Sequence, residues 1–86
     1  MSPTHEQLRT AVARLREAGF TEDAEDFDGI LTAAWTSSSE LLGEIGIRVV
    51  RILRAHGGEI PPEVRRIFEA MLTEVENTWP GIRSLP

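Results

Sequence analysis

The chain reads SSSELLGEIGIRVVRILRAH from Ser37 to His56, and this stretch predicts a helix with an unusually wide apolar surface. A helix on the outside of a small domain needs an apolar stripe of little more than about 100°. At about 100° per residue, the apolar and glycine positions of this helix cover an arc of roughly 200°. Its members are Leu41, Leu42, Gly43, Ile45, Gly46, Val49, Val50, Ile52 and Leu53. We therefore expect the helix to pack against neighbours on two sides.

Further helical segments flank this one, and no stretch predicts a strand. Short breaks between the segments make consecutive helices antiparallel neighbours. The predicted fold is all-α, a small four-helix antiparallel bundle made of two packed helical hairpins. We expect one domain over residues 1–86, with helices at about 4–18, 22–35, 38–56 and 62–79 and a short tail at 80–86.

Residues typical of helix ends support these bounds. Thr4 and Gln7 fit a capping box at the start of the first helix, and Thr21 fits an N-cap for the second. Gly19 provides a left-handed stop, and Pro62 is a favourable first residue for the fourth helix. The tail is expected to fold back through Ile82 and Leu85.

Composition limits how such a chain can be stabilised. Its 86 residues include no cysteine, so disulfides are excluded, and a structural zinc site is disfavoured because its only other usual ligands are His5 and His56. A small domain without such cross-links depends on very good helix packing or on oligomerisation.

The balance of charge argues against nucleic acid as a partner. The formal net charge is −5, and all nine basic residues are arginine. Binding to nucleic acid depends on neutralising phosphates, which this chain would on average repel. Glu44 with Arg48, and Arg65 with Glu69, are spaced i, i+4, so part of the arginine charge is expected to be paired.

The second helix is strongly acidic and offers a possible face for a basic partner. The residues of that face are Glu22, Glu25, Asp26 and Asp28. The alternative is a solvated face that keeps the protein soluble. A calcium loop does not fit, because placing Gly29 at the sixth position puts Ala24 and Trp35 at the first and twelfth.

A second candidate surface runs along the third helix. Gly43, Ile47, Val50 and Arg54 recur at i, i+4, i+7 and i+11 on this helix, α3 (about 38–56), and we call these residues the α3 stripe. Glycine inside a helix costs about 1 kcal/mol relative to alanine, so close approach of another backbone is the expected compensation. We expect Gly46 to be buried within the chain and the α3 stripe to contact a second copy. The alternative is that the chain's own core covers both sides.

No constellation in the sequence predicts catalysis, a cofactor or a bound metal. An activated serine needs a base and an oxyanion site, whereas Ser37 and Glu40 already fit a helix-capping box. No apolar run is long enough to cross a membrane, and the first residues are not typical of a secretory signal. A cytoplasmic protein that is not an enzyme is the expectation.

The sequence therefore favours a non-catalytic protein-interaction module. We expect a homodimer through the third helix, with the acidic second helix available to a basic partner. An alternative is a helical carrier of a small apolar ligand. The third possibility is a nucleic-acid-associated regulator. In the carrier alternative, the ligand site would be lined by Phe27, Trp35, Phe68, Met71 and Trp79.

Overall fold

The computed structural model describes residues 3–33 and 38–84, which contain four α-helices and one 3-10 turn. No strand occurs in these two ranges. The predicted all-α class is confirmed, and the predicted limits agree within two residues except at the end of the second helix. The helices are α1 His5–Glu17, α2 Thr21–Thr32, α3 Ser38–His56 and α4 Pro62–Thr78, and the 3-10 turn is Ile82–Ser84.

The start of α1 has the predicted capping box. The Thr4 hydroxyl accepts a hydrogen bond from the Gln7 amide at 3.1 Å, and Gln7 Oε1 accepts one from the Thr4 amide at 2.8 Å. The helix stops at the predicted glycine, since Gly19 adopts a φ of +96°. The two capping hydrogen bonds between Thr4 and Gln7 satisfy backbone donors that a helix start otherwise leaves unpaired.

Both ends of α2 differ from the prediction. Thr21 is the first helical residue and not the cap; Phe20 occupies the cap position without a side-chain hydrogen bond. The helix ends at Thr32 because Ala33 is extended, with a ψ of 152°. The Thr32 hydroxyl also donates to the carbonyl of Asp28, which is one way such residues compete with helix continuation. Trp35 and the predicted Ser37 cap lie outside the described residues.

Consecutive helices pack side by side, and α4 closes the bundle against α1. Contacts at the helix ends show the antiparallel directions. His56 at the end of α3 pairs with Asp23 at the start of α2, and Arg14 near the end of α1 pairs with Glu63 at the start of α4. The arrangement is the predicted four-helix antiparallel bundle.

The core is formed by one apolar face from each helix. Phe27 of α2 and Phe68 of α4 are fully buried, and their ring centroids lie 5.4 Å apart. This distance is within the range favoured by aromatic pairs. The other fully enclosed large side chains are Leu15, Val49, Val64, Leu72 and Val75, with Leu72 the most exposed of them at 2%.

The residues after α4 turn back onto the bundle, as predicted for Ile82. Residues 80–84, which we call the C-terminal turn, place Ile82 at 6% exposure against α3 and α4. Gly81 allows the reversal because its φ is +87°, in the left-handed region that favours glycine. Leu85 lies outside the described residues.

Candidate functional site

The α3 stripe is only partly accessible. Val50 is 6% exposed and belongs to the chain's own core, so it is not part of an open surface. Gly43 and Ile47 remain half-buried, and Arg54 is exposed. Gly43 and Ile47, near the start of α3, therefore form the accessible half of the stripe, whereas Val50 is buried and Arg54 is an exposed cation.

Trp79 lies beside the accessible half. Its side chain is 44% exposed, and its indole Nε1 donates to the Ser39 carbonyl at 2.8 Å. The ring lies over Gly43, where a methyl group would come within 3.2 Å of Nε1. Gly43 and Ile47 lie one helical turn apart on α3. Together with Trp79, which contacts Gly43, we call them the Trp79 surface.

Gly46 accommodates the C-terminal turn, as its predicted burial within the chain requires. A Cβ atom there would lie 2.8 Å from Val75 Cγ1 and 2.9 Å from Ile82 Cγ1. Both distances are shorter than real Cβ contacts, so the side chains of α4 and the C-terminal turn occupy that volume. Glycine is needed here for close packing and not for its backbone conformation.

Arg83 attaches the same turn to α4. Its Nη1 lies 2.8 Å from Glu69 Oε2, and its Nε contacts Glu76. From the opposite side, Arg54 Nη2 donates to the Arg83 carbonyl at 3.0 Å. Arg54, the last member of the α3 stripe, is therefore engaged within its own chain.

The surroundings of Arg83 also stabilise the charged form of its guanidinium. Hydrogen bonds from its guanidinium, first to Glu69 and then to Glu76, raise the pKa of Arg83 above its ordinary value. Because the pKa is higher in the folded state than in the unfolded state, the charged guanidinium stabilises the fold at every pH below the unfolded-state pKa. This stabilisation is lost only as the pH rises through the folded-state pKa. Because the ordinary pKa of arginine is already far above neutral, Arg83 stays charged throughout the physiological range.

The acidic face of α2 is partly neutralised by neighbouring helices. Glu25 pairs with Arg16 at 3.1 Å, and Asp26 pairs with Arg48 at 2.8 Å. Glu22 is exposed and Asp28 is half-buried. The predicted face is therefore present, but two of its four carboxylates already have cationic neighbours.

The predicted i, i+4 pairs are replaced by contacts between elements. Arg48 pairs with Asp26 of α2 and not with Glu44, and Glu69 pairs with Arg83 and not with Arg65. The tertiary fold brings these alternative partners within reach, and exposed pairs of this kind differ little in energy. Such partners cannot be read from spacing along one helix.

The described members of the predicted apolar ligand site are not gathered around one space. Phe27, Phe68 and Met71 pack in the core at 4% exposure or less, whereas Trp79 is on the outside. A groove of about 440 Å³ does lie between α1 and α4, but charged and polar groups contribute to its walls. Its lining is Pro3, Gln7, Thr10, Glu63, Arg66, Ile67 and Ala70.

His56 contacts two residues at the start of α2. His56 Nε2 lies 3.3 Å from Asp23 Oδ2, and its ring packs on Phe20 with centroids 4.9 Å apart. Across residues 3–33 and 38–84, no group of three potential metal-ligating side chains converges. Within the same part of the chain, none of the helices is both long and apolar enough to cross a membrane.

The sequence pattern did not join Trp79 to the α3 stripe. It also missed the bridging role of Arg83. The sequence contained one indication of this role, because Glu69 and Glu76 are seven residues apart and therefore share one face of α4.

Comparison of the chain with protein-family models, curated proteins and solved structures found no significant match. The class that the structure defines is a small all-α helical bundle.

Proposed function

We propose that the protein is a non-catalytic interaction module that forms a homodimer through the Trp79 surface. The observation that carries this proposal is Trp79 itself, a large apolar side chain that is 44% exposed yet fixed by a hydrogen bond to Ser39. Tryptophan is enriched among residues that dominate binding energy at interfaces. A side chain already held in place loses less conformational entropy on binding.

Two features favour a second copy as the occupant. Trp79 already lies over Gly43, so the indole itself offers the apolar contact there, and the half-buried Ile47 adds another one turn further along α3. A two-fold axis at this site would bring the same residues together from both copies. The chain also has few other means of stabilisation, being 86 residues long without cysteine.

Light scattering coupled to size exclusion, over a range of concentrations, tests the proposal. The mass is expected to rise from 9.6 kDa towards twice that value in the high micromolar range. Ile47→Glu should remove the rise because it places a carboxylate in the interface. Ile67→Glu is the matched control, since Ile67 is equally half-buried but lies in the groove between α1 and α4. A constant monomer mass for the unaltered chain would overturn the proposal.

The direction of the salt effect separates self-association from binding of a basic partner. Each copy carries a net charge of −5, so added salt screens repulsion between copies and should strengthen the homodimer. A complex between the α2 acidic face and a basic protein should weaken instead, because its attraction is screened. The average mass at low and high salt distinguishes the two, because it reports the fraction of the protein that is dimeric.

A further inference from the structure

The groove of about 440 Å³ between α1 and α4 lies along the first half of α4, away from Trp79 at the end of that helix. Thr10 of α1 and Ala70 of α4 line it with small side chains, which leave room between the helices. Its volume falls within the range of about 300–1,000 Å³ that is typical of small-molecule sites. Pro3, Ile67 and Ala70 give it an apolar part. Ligand sites usually combine such a part with a few polar groups.

The two charged side chains of the lining differ in whether they already have a partner. Glu63 Oε2 lies 3.5 Å from Arg14 Nε, so its carboxylate is balanced within the chain. Arg66 is exposed, and its guanidinium makes no ion pair or hydrogen bond with any residue of 3–33 or 38–84. The charge that the groove offers to a ligand is therefore a guanidinium, whose planar set of donors matches a carboxylate.

Gln7 provides a second donor group in the lining. Its Oε1 accepts the Thr4 amide at 2.8 Å in the capping box, which holds the side chain in one orientation. The Nε2 group of the same side chain keeps both protons available, because it finds no acceptor in the described part of the chain. The Thr10 hydroxyl, by contrast, already donates to the Glu6 carbonyl. The free donors of the groove thus come from Gln7 and Arg66, and both suit a carboxylate.

We propose that the groove between α1 and α4 binds a small amphipathic monocarboxylate of the medium-chain fatty acid class. The carboxylate pairs with Arg66 and accepts a hydrogen bond from Gln7. The alkyl chain lies along Ile67 and Ala70. A single negative charge matches the unpaired guanidinium of the lining, whereas the net charge of −5 disfavours polyanions. This site is independent of the homodimer, since no residue of the lining belongs to the Trp79 surface.

Three probes of equal chain length separate the charge from the apolar contact. Octanoate is the carboxylate, octanamide its neutral counterpart and octylammonium its cationic one. Nuclear magnetic resonance of the isotope-labelled full chain measures each dissociation constant from the shifts of the Ile67 and Ala70 backbone amides. Octanoate is expected to bind about tenfold more tightly than octanamide, because a charge-assisted pair replaces a neutral hydrogen bond. Octylammonium should bind most weakly, and added salt should weaken octanoate alone.

Two arginine variants locate the carboxylate. Arg66→Gln should weaken octanoate about tenfold and leave octanamide unchanged, so that the two probes then bind alike. Arg65→Gln is the matched control, because it removes the same charge from the adjacent exposed position of α4, which is outside the groove lining. It should leave octanoate binding nearly unchanged. Circular dichroism confirms that each variant keeps its helices.

Several results would overturn this inference. They are equal binding of octanoate and octanamide to the unaltered chain, equal losses in Arg66→Gln and Arg65→Gln, and an absence of octanoate shifts at Ile67 and Ala70. Ile67→Glu separates the site from the homodimer, since it should abolish octanoate binding and leave dimerisation intact, whereas Ile47→Glu should do the reverse. A chain that binds octanoate but stays monomeric supports the site and overturns the homodimer alone.

Discussion

The indole of Trp79 joins the end of α4 to the start of α3 through its 2.8 Å hydrogen bond to the Ser39 carbonyl. The two residues are 40 positions apart, so the contact exists only because the helices are antiparallel neighbours. It also holds the ring over Gly43. One side chain thereby closes the end of the α3–α4 hairpin and presents an apolar surface to the solvent.

Trp79→Phe should lower the free energy of unfolding by about 0.5–2 kcal/mol, because it removes the hydrogen bond to Ser39 and the five-membered ring that lies over Gly43. The carbonyl is near the surface, so water can replace the donor, which places the hydrogen-bond part of the loss at the lower end of the usual range. Urea denaturation followed by circular dichroism measures it. A loss above about 2 kcal/mol would mean that the ring also packs differently in the variant.

Alanine substitutions at two helical glycines should have opposite effects. Gly46→Ala places a methyl group within 3 Å of Val75 and Ile82, so we expect a net destabilisation of about 1–3 kcal/mol. Gly29→Ala meets no atom within 4 Å and should stabilise α2 by up to about 1 kcal/mol. Thermal and urea unfolding of both variants provide the comparison. Equal effects would show that helix propensity, and not packing, determines both sites.

Asp26→Asn should cost about 0.2–1 kcal/mol, because the Asp26 side chain is 58% exposed and surface pairs are weak. Its partner atom, Arg48 Nε, is shielded from solvent and has no hydrogen bond of good geometry, although Asp26 Oδ2 lies 2.8 Å away. The interaction is therefore mainly electrostatic and should shrink in high salt. Urea denaturation at two salt concentrations tests this.

Glu22→Gln is the matched control for Asp26→Asn. It removes one carboxylate from the same helix at an exposed position. Its effect should stay within about 0.5 kcal/mol, as is usual for surface substitutions. A double-mutant cycle between Asp26→Asn and Arg48→Met isolates the coupling between the two groups. Zero coupling would contradict an electrostatic role for the pair.

Local signals in the sequence were sufficient for most of the secondary structure. The capping box of Thr4 and Gln7, the left-handed Gly19 and the leading Pro62 each act over one helical turn, and each appears as predicted. The end of α2 was placed too late because the apolar pattern continued past Thr32, whereas the extended backbone at Ala33 ended the helix. Periodicity reports a preference for burial and does not fix where a backbone leaves the helix.

The surfaces depended much more on tertiary structure. Spacing along α3 grouped Gly43, Ile47 and Val50 on one side, but it could not show that Val50 is buried in the chain's own core while Ile47 stays partly open. Likewise, i, i+4 rules could not predict that Arg48 would reach Asp26 on another helix. Where several possible ion pairs have similar energies, the pair that forms is the one whose groups lie close together in the folded chain.

The sequence by itself determined that this protein is an all-α bundle and that its third helix has an apolar surface too wide for one neighbour. That follows from helical periodicity, which assigns every residue to a side of its own helix. Only the tertiary structure decided what lies on each side. Trp79 lies over Gly43 because α3 and α4 are antiparallel neighbours, and Ile82 fills the space at Gly46 because the chain reverses at Gly81.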